Sequence, residues 1–268
     1  MNGVASVRSV AMRTDLVLSP FGADPAEFVA AARVADGGFD GLCTYDHFSG
    51  AIAGKPWSRD PWVLLGATAP ATARVRLGVL VANVYNRHPA QLASAVSTLQ
   101  ALAPGRVMCG VGAGAAPGSR FAVEHELIGR DLDDASARRK RLAETIDELR
   151  AIWDGSSQIV GVVDAAPPPP IIVGASSTAT VEVAAERADG VNILSGAPRF
   201  DELLAVARTR AVQGPFEISV FEMLDIGHPL GGDPSPLAER GVARRTLHVA
   251  APYPIEAIGG IAANLATQ

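Results

Sequence analysis

Residues 87–114 read RHPAQLASAVSTLQALAPGRVMCGVGAG, and this stretch is the most informative part of the chain about its fold. A proline at position 89 and apolar residues at helical spacing predict a helix that runs to Leu102, and Pro104-Gly105 predicts a tight turn. The run 106–111 predicts a buried strand that ends in a glycine loop. Glycine-rich loops at strand ends hold phosphates in barrels and in doubly wound sheets. The stretch therefore favours an enzyme that acts on a small molecule.

Strand-like runs alternate with helical patterns along the whole chain, which is typical of a parallel sheet covered by helices. The runs are 15–18, 41–45, 75–81, 106–111, 171–173, 190–194, 216–223 and 244–249. The helical patterns are 26–35, 62–71, 89–102, 138–153, 178–188, 199–211 and 254–265. Eight strands with helical patterns between them predict an α/β fold of the (β/α)8 TIM-barrel type, in one domain over residues 1–268. The alternative is a six-stranded open sheet, if the last two strands pair differently.

Composition limits the class of protein. Hydrophobic residues make up 48% of the chain and charged residues 19%, which supports a large core and argues against disorder. The formal net charge is −5, and the basic run 138–141 begins an amphipathic helix, where we interpret it as a solvated face. We therefore expect no nucleic-acid partner. Cys43 and Cys109 lie in apolar runs, and no signal-peptide or membrane-span pattern is present, so we expect a cytoplasmic protein without a membrane partner.

Five short motifs, in this order, resemble the bacterial-luciferase-like family of flavin- and deazaflavin-dependent oxidoreductases. They are Tyr45-Asp46-His47-Phe48, Arg87-His88-Pro89-Ala90, Pro104-Gly105-Arg106, the glycine loop 110–114 and Ile171-Ile172-Val173-Gly174-Ala175-Ser176. No single motif is diagnostic, and their order over about three quarters of the chain carries the resemblance. It implies a flavin-like cofactor at the carboxyl ends of the barrel strands, a small organic substrate and a homodimer.

The resemblance implies that Asp46 and His47 are catalytic, with the histidine as the acid or base that accompanies hydride transfer. An imidazole suits this role because its unperturbed pKa is ~6.5. The alternative is an aspartate that caps a turn beside a histidine that only donates or accepts a hydrogen bond.

The chain departs from the relatives that oxidise sugar phosphates. Those relatives carry a tryptophan four residues after the histidine and a glutamate after the glycine turn, where this chain has Ala51 and Ala115. Trp57 and Glu124 are the candidates to replace them in space. The segment between Trp153 and Pro170 is also shorter than the insertion of these relatives, which predicts a more open site or one covered by a partner subunit.

Two loops are predicted to bind the anionic tail of the cofactor: Gly112, Ala113 and Gly114 after one strand, and Gly174, Ala175, Ser176 and Ser177 after the next. The alternatives are a tight turn without ligand and an ordinary helix cap. Residues 110–115 also fit the dinucleotide fingerprint G-x-G-x-x-A, but no helix begins inside these glycines, as that fingerprint requires.

A further set of residues is predicted, by the resemblance, to contact the cofactor ring: Val79, Leu80, Asn83, Arg87 and His88. A cis peptide bond between Val79 and Leu80 would form a bulge behind the ring. The alternatives are a regular buried strand and, for Arg87 and His88, exposure to solvent. The remaining histidines, at positions 125, 228 and 248, lack the spacing of metal ligands, so we expect no metal.

These observations favour hydride transfer between coenzyme F420 and an organic substrate. Asp46-His47 and the segment 87–89 look closer to the deazaflavin-dependent relatives than to those that use FMN. One alternative is an FMN-dependent monooxygenase, which would consume molecular oxygen. Another is a barrel that binds a flavin without turnover.

Overall fold

The structure is a computed structural model that describes residues 12–163, 167–211, 213–223 and 235–267. Eight parallel strands form a closed barrel in chain order. They are β1 (Arg13–Leu18), β2 (Gly41–Thr44), β3 (Arg76–Asn83), β4 (Val107–Gly112), β5 (Ile171–Ala175), β6 (Gly190–Leu194), β7 (Glu217–Met223) and β8 (Arg244–Val249). The predicted TIM barrel is confirmed. Pairing of β1 with β8 along all six residues of each rules out the open sheet.

Helices surround the barrel and begin where the sequence carries capping signals. Among the described residues they are α1 (Pro25–Ala35), α2 (Pro61–Thr68), α3 (Pro89–Leu102), α4 (Ala122–Leu127), α5 (Ala135–Asp154), α6 (Thr178–Arg187), α7 (Phe200–Ala211), α8 (Ser235–Glu239) and α9 (Ile255–Leu265). Asp24 and Asp60 each accept two hydrogen bonds from first-turn amides, as expected for Asp-Pro starts. The short helices α4 and α8 were not predicted. No described helix combines the length and the apolar character needed to cross a lipid bilayer.

Two apolar layers separate the helices from the interior of the barrel, because successive strand residues point to opposite faces. Outward-facing residues pack under the helices and include Leu16, Leu42 and Val79. Inward-facing residues form a smaller cluster, which consists of Val17, Cys43, Leu80, Met108 and Ile172, with Tyr45, Val81 and Phe221 packed on it. This inner cluster is the floor on which any ligand at the carboxyl ends of the strands would rest.

Below that floor, four charged side chains from the amino-terminal ends of the strands fill the barrel. Arg76 Nη2 lies 2.8 Å from Glu217 and 3.6 Å from Asp15. Arg244 pairs with Asp15 and lies 3.3 Å from Glu217. Burial raises the pKa of the Asp15 carboxyl, whereas the two arginines outweigh burial at Glu217 and lower its pKa. This end of the barrel is therefore filled by paired charges.

Candidate active site

A cavity of about 520 Å³ lies at the carboxyl ends of the strands. Its volume is within the range of roughly 300–1,000 Å³ that small-molecule sites occupy. The cavity is lined by Tyr45, Asp46, His47, Leu80, Val81, Asn83, Gly112, Ala113, Gly114, Ala115, Phe121, Ala135, Arg138, Arg139, Gly174, Ala175, Ser176, Ser177, Thr180, Asn192, Leu194 and Phe221. Most of the predicted site residues therefore share one cavity, and Val79, Arg87 and His88 do not line it.

His47 forms a short hydrogen bond with a carboxylate that comes from a distant part of the chain. Its Nδ1 lies 2.6 Å from Oε2 of Glu124, a residue of α4 that is 1% exposed. The other carboxylate oxygen accepts hydrogen bonds from the backbone amides of Phe48 and Ser49, both at 2.8 Å. With Nδ1 engaged, Nε2 is the nitrogen left to face the cavity.

Glu124 is held as a carboxylate by these donors. Burial alone would raise its pKa, but the hydrogen bonds from His47 and from the amides of Ser49 and Phe48 outweigh burial and lower the pKa below its ordinary value. Glu124 was only a candidate to replace a missing residue in the sequence analysis. His47 and Glu124 are 77 residues apart in the chain, so local sequence spacing does not reveal that they are in contact.

Aromatic rings fix the plane of the His47 imidazole. Phe121 stacks on it at 5.0 Å and Phe21 at 5.5 Å between ring centroids, and Tyr45 meets it edge-on at 6.2 Å. An imidazole on which two rings stack can rotate little, so the hydrogen bond to Glu124 sets which edge points inward. None of these three aromatic residues was predicted to belong to the site.

Asp46 has a different environment from the one expected for a catalytic acid. Its carboxylate pairs with Arg87 and accepts a hydrogen bond from the backbone amide of Asn83 at 3.2 Å. Arg87 also binds Asp60, at 2.7 Å, at the start of α2. Burial raises the pKa of Asp46, and the Arg87 guanidinium opposes that rise. Both oxygens have partners, so the geometry favours a role in holding the loop before His47.

Two side chains hold the glycine loop after β4 by hydrogen bonds. Arg138 donates to the carbonyl of Gly114 at 2.9 Å. His125 Nε2 accepts from the Ala115 amide at 3.3 Å and from the Asn83 side chain at 3.2 Å. Gly114 has φ +77°, and a Cβ there would lie 2.6 Å from the Tyr85 ring, so only glycine fits. The loop is therefore a rigid wall of the cavity.

The predicted cis peptide bond is present but one residue later, between Leu80 and Val81. The prediction that the cis bond joins Val79 and Leu80 is therefore wrong. The register between β3 and β4 shifts between Val79 and Ala82, so Leu80 and Val81 both face the interior while Val79 stays on the outer face. Val79 is fully buried under the helices and cannot contact a ligand in the cavity.

The loop after β5 forms a corner suited to an anion. Ser177 caps α6 and accepts from the Thr180 amide at 3.3 Å, and Ser176 and Ser177 line the cavity beside the positive end of this ten-residue helix. Arg138 and Arg139, from the first turns of α5, line the same cavity. The interpretation of this basic run as a solvated helix face is thus wrong for these two arginines, because α5 turns this side toward the glycine loop.

Arg87 and His88 line a second cavity, of about 370 Å³, together with Tyr85, Arg130 and Arg141. His88 caps α3, with its Nδ1 accepting from the Ala90 amide at 3.2 Å. Trp57 lies outside the main cavity, 46% exposed. Position 228 lies outside the described residues. In the described ranges no three histidine, cysteine, aspartate or glutamate side chains group as metal ligands do.

Comparison with known proteins places these features in a family. Residues 6–213 match the family model described as luciferase-like monooxygenase. The chain is similar to an F420-dependent glucose-6-phosphate dehydrogenase of Segniliparus rotundus, with 32% identity over 139 residues, which are 48% of this chain and 38% of that one. A protein of the same description from Beutenbergia cavernae is 34% identical over 141 residues, 49% of this chain and 38% of the relative. The matched region thus spans well under half of these relatives.

Solved structures share the fold. An F420-dependent secondary alcohol dehydrogenase in complex with an F420-acetone adduct superimposes with a TM-score of 0.73 at 16% identity, covering 95% of this chain and 98% of the other. An F420-dependent tetrahydromethanopterin reductase from Methanopyrus kandleri gives 0.69 at 17% identity, covering 94% and 98%. An EDTA monooxygenase from a Chelativorans species gives 0.70 at 12% identity, covering 96% and 92%. At these identities the likeness concerns the barrel alone.

Proposed function

Because the chain belongs to the luciferase-like monooxygenase family, we propose that it is an oxidoreductase that passes a hydride between coenzyme F420 and an organic substrate. One observation carries the proposal: a single cavity joins the His47 imidazole, from the end of β2, to an anion-binding corner at the ends of β4 and β5. The matched dehydrogenases of Segniliparus and Beutenbergia are F420-dependent by description, which favours F420 over FMN.

The residues present fit a planar ring with an anionic tail. Gly112 and Gly174 flank Val81 so closely that a Cβ at either would lie 2.6 or 2.9 Å from that side chain. Leu80 and Val81 can therefore back a flat ring over the inner cluster. Ser176, Ser177 and the two arginines supply amides, hydroxyls and positive charge for a phosphate.

The chain's own residues would orient both reactants and manage one proton. A bound deazaflavin supplies a ring that accepts or returns a hydride. When a substrate alcohol is oxidised, its carbon loses the hydride and its hydroxyl loses a proton, which His47 Nε2 is placed to take. Tyr45, Phe121 and Phe221 line the cavity and keep water away from the reacting atoms. In the reverse direction His47 returns the proton to the carbonyl oxygen.

The test is a parallel fluorescence titration of the protein with F420 and with FMN. We expect saturable binding with at least about tenfold preference for F420, equivalent to ~1.4 kcal/mol. Arg139→Gln should weaken F420 binding by about tenfold because it removes a charged partner of the tail. The matched control is Lys140→Gln, since Lys140 is the next residue and its side chain is 78% exposed. Tight binding of FMN without binding of F420 would contradict the proposal. Failure to bind either compound would contradict it as well.

A further inference from the structure

We propose that Glu124 is a positioning residue that keeps the ring proton of His47 on Nδ1 and so leaves the lone pair of Nε2 directed at the cavity. The proposal rests on the proposed function only in its last part, which is the reaction of Nε2 with a substrate. The placement of the proton concerns the protein by itself, and it is measurable without any ligand.

The first step of the argument is the hydrogen-bond inventory of the Glu124 carboxylate. An ionised carboxylate only accepts hydrogen bonds. Its Oε1 accepts from two backbone amides, and its Oε2 lies 2.6 Å from His47 Nδ1. The contact is a hydrogen bond only if Nδ1 carries the proton, because two acceptors at that distance would repel.

The second step is that the Glu124 carboxylate is ionised in the folded protein. Three donors from the consecutive residues 47–49 converge on it, and together they hold its pKa below the ordinary value despite its burial. A protonated carboxyl could instead donate to Nδ1, which would reverse the arrangement. The three convergent donors favour the charged, accepting form.

The third step separates this role from that of a loop clamp. A clamp needs only Oε1, which holds the amides of Phe48 and Ser49. Within the described residues, His47 is the one hydrogen-bond partner of Oε2, and the rings of Phe21 and Phe121 already hold the imidazole plane. What remains for Oε2 to determine is which nitrogen is protonated, and thus whether the cavity meets an acceptor or a donor.

The chemical consequence is a base that needs no rearrangement before it acts. With the proton on Nδ1, Nε2 accepts the hydroxyl proton of an alcohol as the C–H hydride passes to the deazaflavin that the proposed function supplies, and the alcohol becomes a carbonyl compound. The imidazolium that results lies against the Glu124 carboxylate, which stabilises it. With the opposite tautomer, Nε2 would present an N–H and could not take the proton.

The experiment is nitrogen NMR of histidine-labelled, full-length protein at about neutral pH. His47→Asn identifies the His47 signals. We expect Nδ1 protonated and Nε2 unprotonated in the wild type. Glu124→Gln keeps a carbonyl oxygen for the two amides but presents an N–H to Nδ1, so the proton should move to Nε2. Glu126→Gln, an exposed position on the same helix, is the matched control and should leave the signals unchanged.

A wild-type His47 with its proton on Nε2 would overturn the proposal, and the one variant this measurement needs is the His47→Asn reference that assigns the signal. An unchanged tautomer in a folded Glu124→Gln protein would also overturn it, leaving Glu124 as a loop clamp only. Titration with F420 separates this result from the proposed function. Failure of the wild type to bind F420 refutes that function and leaves the tautomer assignment standing.

Discussion

At the residue scale, the site is built around one imidazole held from three directions. Two aromatic rings stack on the His47 imidazole, Glu124 binds one edge of it, and the hydroxyl of Ser58 donates to the His47 backbone carbonyl at 2.5 Å. A side chain fixed in this way loses little entropy when a substrate arrives. Asp46, its neighbour in sequence, is committed to Arg87 instead. Asp46 and His47 are adjacent in sequence but therefore bind different partners, Arg87 and Glu124.

The lowered pKa of Glu124 predicts how stability depends on pH. A carboxylate whose pKa is lower in the folded state stabilises the fold fully above its unfolded pKa, and the effect is lost as the pH falls through the folded pKa. Glu124→Gln should therefore lower the free energy of unfolding by about 1–3 kcal/mol at about pH 7, because hydrogen bonds to a buried charge are lost. This cost in stability should shrink as the pH falls below about 4.5.

Urea unfolding of both proteins, from about pH 7 down to well below about pH 4.5, measures that difference. Glu126→Gln is again the control and should cost little at any pH, because surface substitutions change stability within about 0.5 kcal/mol. A cost for Glu124→Gln that stays constant on acidification would show that its carboxylate charge contributes nothing to the fold.

Sequence patterns predicted His47 as a site residue but could not pair it with its partner. Nothing in local spacing distinguishes Glu124 from Glu126, because α4 has only six residues, too few for a periodic pattern. Arg138 and Arg139 were misread for a related reason. Helical periodicity identifies the buried stripe of α5 but does not reveal which loop lies above its first turns.

At the element scale, the bulge of β3 shapes the cavity. The register shift before Ala82 turns Val81 inward, and its side chain fits between Gly112 of β4 and Gly174 of β5. The run 79–82 is apolar throughout, so the sequence contains no residue that marks where the bulge lies. This explains why the cis bond was predicted one residue too early.

This packing predicts a paired effect at Gly174 and Val81. Gly174→Ala would place a Cβ 2.9 Å from Val81 Cγ1, so it should cost about 1–3 kcal/mol and push Val81 into the cavity, weakening F420 binding. Thermal unfolding and F420 titration measure both effects. Adding Val81→Ala should restore stability and binding, because the remaining Cβ contact is an ordinary 3.6 Å. Val81→Ala alone is the control, and a double variant as weak as Gly174→Ala would contradict the packing account.

The strands and long helices, in contrast, were predicted to within three residues at each end. Pro89–Leu102 and Arg244–Val249 agree at both ends, and an N-terminal proline marks where the helix begins. The short helices were missed, since their stability comes from the packing around them and not from local propensity.

At the scale of the whole molecule, the barrel divides into three levels. Paired charges fill the amino-terminal end, an apolar cluster forms the floor, and the cavity opens above it with the His47 imidazole and the loops after β4 and β5 on its walls. This arrangement follows the general division of TIM barrels, in which one end provides stability and the other the site. Membership of the family agrees with that division.

The central claim is that F420 lies in this cavity with its ring beside His47. Nitrogen NMR of histidine-labelled protein during titration with F420 tests it most directly, because His47 lines the main cavity and His88 lines the other one. We predict that the Nε2 signal of His47 shifts in proportion to bound F420 while the His88 signals stay in place. Saturable binding that shifts His88 and leaves His47 unchanged would contradict the claim.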